Sequence, residues 1–65
     1  MQIFVNGKII QTEVITLNLL LEKLGYEGNW LATAVNAEVI PVEARNQFVL
    51  REGDKIEILS PMQGG

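Results

Sequence analysis

The chain has 65 residues, 48% of them hydrophobic and 20% charged, which allows one domain at most and supplies the apolar content that disordered chains lack. It contains no Cys and no His, which excludes disulfides, the usual zinc ligand sets, a cysteine nucleophile and the commonest general base. The net charge is −3 and the five basic residues never cluster, so nothing is arranged to neutralise a row of phosphates and nucleic acid is a poor partner.

The first fourteen residues read as a hairpin. Asn6-Gly7 suits a two-residue type I′ turn, because both positions need a positive φ. That turn pairs Val5 with Lys8, Phe4 with Ile9, Ile3 with Ile10 and Met1 with Thr12. Side chains alternate between faces, so Met1, Ile3, Val5 and Ile10 share the side richer in apolar residues, the expected core side. Phe4 and Ile9 are left as an apolar pair on the opposite surface.

A helix is expected next. Thr16 can cap it, Leu17, Leu20, Leu21 and Leu24 repeat at the spacing of one helical face, and Gly25 can end it. Core packing against a sheet accounts for this stripe. Trp30, alone at the junction that follows, reads as a lid on a small core. Residues 31–36 predict a third strand, and 36–41 a turn and a short edge segment, since Pro41 forbids a central position. Residues 44–50 read as irregular chain entering a further short strand. Residues 51–54 predict a turn, and Lys55–Leu59 the last strand, with Ile56 and Ile58 inward and Leu59 outward. Asn36 and Asp54 read as ordinary turn residues without chemistry. The order ββαββ(β) predicts an α+β fold, a small mixed sheet of four to five strands with one helix packed on one face.

The chain then ends on Ser60-Pro61-Met62-Gln63-Gly64-Gly65. Domain ends are often merely frayed and polar, and that reading needs no function. At an average usage of about 7%, however, two Gly at two named positions arise by chance only about 0.5% of the time. No apolar run approaches the roughly 18 residues of a membrane span and no signal-peptide pattern opens the chain, so a cytoplasmic location away from the membrane is expected. Carboxylates alone could hold magnesium or calcium, but no EF-hand spacing occurs, and no metal site is expected.

The opening M-Q-I-F-V-N-G-K, the helix T-L-N-L-L-L-E-K-L-G, the segment A-V-N-A-E-V-I-P, the turn and strand E-G-D-K-I-E-I-L and the ending M-Q-G-G together resemble the ThiS family. These are sulfur carriers of thiamine biosynthesis within the ubiquitin-like β-grasp superfamily, and the resemblance spans the whole chain. It implies a β-grasp domain over residues 1–60 and a flexible C-terminal tail over 61–65. It also implies a substrate of enzymes, not a catalyst. An adenylating enzyme related to E1 enzymes would use ATP and magnesium to activate the carboxylate of Gly65, with no cofactor bound by this chain. Sulfur from a donor such as a cysteine desulfurase would then leave a thiocarboxylate, which thiazole synthase accepts. Gly64 would give the tail access to an enclosed site.

In a β-grasp sheet the first and last strands lie side by side and parallel. The resemblance therefore implies that Phe4, Ile9 and Leu59 meet in an outward patch at the base of the tail and, with Met62, dock the partners. Scattered surface hydrophobics are the bland alternative. Three other functions fit the same features. The nearest is a sulfur carrier for molybdopterin or another sulfur-requiring pathway, since the small subunit of molybdopterin synthase resembles this pattern, though it is usually longer. A protein modifier would be joined through Gly65 to lysines of other proteins. A stand-alone binding module would tolerate loss of both glycines.

Overall fold

A computed structural model describes residues 1–26 and 31–59. These form β1 (Gln2–Val5), β2 (Lys8–Gln11), α1 (Leu17–Leu24), β3 (Ala32–Val35), β4 (Glu38–Ile40), a 3-10 turn (Val42–Ala44) and β5 (Lys55–Leu59). The five strands make one mixed sheet in the order β2-β1-β5-β3-β4. The last strand is thus the central one, parallel to β1 and antiparallel to β3. This is the expected β-grasp arrangement, with five strands.

The hairpin has the register its turn dictates, with Ile3 opposite Ile10, Phe4 opposite Ile9 and Val5 opposite Lys8. Asn6 and Gly7 both take positive φ, 49° and 84°. In α1, the Thr16 hydroxyl accepts from the Leu19 backbone N–H at 3.3 Å, and Gly25 closes the helix in the left-handed conformation at φ 87°. Leu17, Leu20 and Leu21 are buried together with Ile3, Val5, Leu31, Val35, Ile40, Leu50, Ile56 and Ile58 in one core cluster. Leu24 packs at its margin. Trp30, expected as a lid, lies outside the described residues.

Residues 44–50 differ from expectation. They contribute no strand, only a single bridge between Val49 and Thr16. Their backbone serves the start of the helix instead. The carbonyls of Phe48 and Arg45 accept from the Leu17 and Asn18 N–H groups, and Leu50 N–H donates to the Ile15 carbonyl. The first N–H groups of a helix have no intrahelical acceptor, and this loop supplies two of the missing partners.

Arg45 itself is buried, which nothing in the sequence announces. Its Nε donates to Thr33 Oγ1 at 3.2 Å and its Nη2 to the Leu31 carbonyl, while the Thr33 hydroxyl donates to the Ile40 carbonyl. A buried cation is tolerated only when its donors are satisfied. Here it ties the loop to β3.

The 51–54 turn is docked onto β1 by main-chain bonds. Gly53 N–H donates to the Gln2 carbonyl at 2.7 Å, and Phe4 N–H donates to the Asp54 carbonyl at 2.9 Å. The Asp54 carboxylate, itself buried, accepts from Arg51 N–H and from Asn36 Nδ2, and Asn36 Oδ1 accepts from Lys55 N–H. The two turns are therefore locked to each other at the start of β5. Asn36 and Asp54 are structural, as their neighbours suggested, though more tightly held than ordinary turn residues.

Candidate functional site

The expected chemistry lies at the C-terminus, and the central strand leads there. Gly65, Gly64 and Met62 lie outside the described residues, as does the whole expected tail over 61–65. The described chain ends at Leu59, paired with Ala32 of β3. Residues 60–65 can span at most roughly 20 Å, at about 3.3–3.6 Å per residue.

The face of the sheet opposite the helix surrounds that root. Ile9 is 62% exposed and Leu59 69% exposed, both on this outer face, while Phe4 is half-buried. The structure brings Phe4 and Ile9 together as direct cross-strand partners. It does not place Leu59 with them. Phe4 lies opposite Lys55, the first residue of β5, and Leu59 is four residues farther along, about 13 Å at roughly 3.3 Å per residue. The expected single patch is therefore two. The cause is the Asn6-Gly7 turn, which takes β1 out of the sheet while β5 runs on past its last partner, so the two strand ends are not level.

Leu59 has other apolar neighbours. Ala32 lies opposite it, Ala34 is on the same face two residues on, and Val39, 72% exposed, lies opposite Ala34. Together with Gly7 and Glu57 these residues line a shallow depression beside the end of β5. A second depression, around Phe4, is lined by Gly7, Ala37, Lys55 and Glu57. The sequence reading passed over Val39, Ala32 and Ala34. Their signal was the second hairpin, in which Asn36 and Ala37 both have positive φ, at 52° and 72°. A turn of that kind forces the Ala34–Val39 pairing, but Asn-Ala announces it less clearly than Asn-Gly.

Among the described residues no three acidic side chains converge where they could hold a metal ion, and no helix is long and apolar enough to cross a membrane. What this region offers is an exposed apolar surface beside the end of β5.

Comparison with known proteins agrees over the full length. The model of the ThiS family matches residues 1–65. The crystal structure of the thiamine biosynthesis protein ThiS from Geobacter metallireducens is 29% identical and superposes with a TM-score of 0.83, each chain being covered completely. The solution NMR structure of a thiamine biosynthesis protein from the same organism is also 29% identical, with a TM-score of 0.82, covering 100% of this chain and 88% of that one. Comparison with curated proteins finds no significant match.

Proposed function

Since the chain belongs to the ThiS family, we propose that it is a cytoplasmic sulfur carrier for thiazole formation in thiamine biosynthesis, a protein substrate and not a catalyst. The observation that supports this most is the family match over residues 1–65, which includes the terminal Gly64-Gly65. A terminal carboxylate ordinarily titrates near about pH 3.5 and is ionised at neutral pH, so it resists nucleophiles until activated. Attack of the Gly65 carboxylate on the α-phosphate of magnesium-bound ATP releases pyrophosphate and leaves an acyl-adenylate. The terminal sulfur of a persulfide on a donor such as a cysteine desulfurase attacks the acyl-adenylate and displaces AMP. A second thiol then reduces the resulting acyl disulfide, releasing the thiocarboxylate and leaving a disulfide on the thiol side. Thiazole synthase then accepts the sulfur. Gly64 and Gly65 lack Cβ and permit close backbone approach in an enclosed, water-excluding site. The absence of Cys means that no thiol of this chain can attack the activated carbonyl.

Incubation with a cognate activating enzyme, ATP, magnesium and a sulfur donor distinguishes the readings. The carrier reading predicts a free small protein bearing a thiocarboxylate. A ladder of isopeptide conjugates would support a protein modifier instead. Repeated adenylation without thiolation by competent donors would remove the sulfur role.

The outer face is the proposed docking surface, with Leu59 at the end of β5 and Phe4 with Ile9 as a separate patch, and Met62 of the tail is proposed to contribute to docking as well. Leu59→Ser removes a side chain that is mostly exposed, so stability should change by less than about 0.5 kcal/mol. KM for adenylation should rise severalfold with kcat little changed, read by pyrophosphate release. Phe4→Ser should cost more stability than Leu59→Ser, because Phe4 is half-buried. Unchanged KM in both variants would leave the face without a docking role.

A further inference from the structure

The hydrogen bonds of Asn6 exceed what a turn requires. Its backbone N–H donates to the Ile56 carbonyl at 2.9 Å, the last main-chain bond in which β1 and its turn serve β5. There the chain swings away into the hairpin, and no peptide group of β1 faces the next residues of β5. The Asn6 side chain takes that place. Its Oδ1 accepts from Ile58 N–H at 2.8 Å, and its Nδ2 donates to the Ile58 carbonyl at 3.3 Å. A primary amide presents the same donor and acceptor as a peptide group, so the side chain extends the parallel ladder by one step. On the other flank Thr33 lies opposite Ile58 and Ala32 opposite Leu59. Both edges of β5 are therefore held to the residue before Leu59.

We propose that Asn6 is a positioning residue for the C-terminal segment, clamping β5 at Ile58 so that the terminal glycine starts from a fixed root. The inference rests on the sulfur-carrier reading above. Its physical basis is reach. Six residues extend at most roughly 20 Å, and slack at Ile58 and Leu59 would lower the effective concentration of the carboxylate at the activating site. The plain alternative is that Asn6 is present only because Asn tolerates positive φ, here 49°.

Asn6→Gly separates the two. Glycine satisfies the turn at least as well as asparagine but has no side chain to clamp with. In the full-length chain, amide exchange at Ile58 should accelerate roughly tenfold relative to core amides such as Ile3, as loss of a local pair of neutral bonds implies. With the cognate activating enzyme and magnesium-ATP, kcat for pyrophosphate release should fall about threefold or more at saturating carrier, a modest loss of positioning, and KM should hold. Asn6→Asp keeps an acceptor for Ile58 N–H and should recover part of both effects. Wild-type kcat in Asn6→Gly, whether or not Ile58 exchange changes, would reduce Asn6 to a turn residue and overturn the proposal. Absence of activation in the unsubstituted chain is a different failure, that of the carrier reading itself.

Discussion

Ile3→Ala is expected to destabilise the domain by about 2–5 kcal/mol, the usual cost of truncating a large buried aliphatic side chain. Ile3 is completely buried, and it sits in the core cluster with Leu17, Leu20, Ile56 and Ile58. A domain of this length has a total stability of about 3–10 kcal/mol at roughly 0.05–0.15 kcal/mol per residue. One truncation therefore removes a large share of the whole, and the urea midpoint should drop sharply. Neighbouring Phe4, one residue on and facing the other way, should show a smaller loss on truncation. If Ile3→Ala costs less than about 1 kcal/mol, or less than Phe4→Ser, the assignment of inner and outer faces is wrong.

Deleting Gly64 and Gly65 should have the opposite profile. Neither residue has a side chain to pack, and terminal residues generally contribute little to stability, so the melting temperature should stay nearly unchanged. Adenylation should disappear, since the carboxylate would end on Gln63, two residues short and behind a bulky side chain. A shortened chain that is still activated would contradict the role of the terminal glycines. A large drop in melting temperature would contradict the separation of tail from domain.

Most of this fold could be read from local chemistry. Asn6-Gly7 determines its hairpin register because both residues must adopt positive φ, and the leucine spacing with Thr16 and Gly25 determines a helix with both ends. Pro41 correctly places the 38–40 segment at a sheet edge. What escaped depends on distant partners. Residues 44–50 carry strand-forming Phe48 and Val49, yet their carbonyls serve the helix start, a demand invisible in the segment itself. Arg45 is buried because Thr33 and Leu31, more than ten residues earlier, offer acceptors, whereas charged residues are ordinarily exposed. Of the outer apolar residues, the shared face was legible but the layout was not. Alternation places Phe4, Ile9 and Leu59 on one face. Their spacing depends on where β1 leaves β5, which is a matter of tertiary pairing.

The central claim is that Gly65 carries sulfur, and the intact mass of the chain purified from its own cells tests it most directly. The carrier reading predicts a population in which one oxygen is replaced by one sulfur, located by fragmentation to the terminal glycine and lost on mild hydrolysis. A chain that carries only its unmodified carboxylate, from cells actively making thiamine and lacking an external supply, would contradict it.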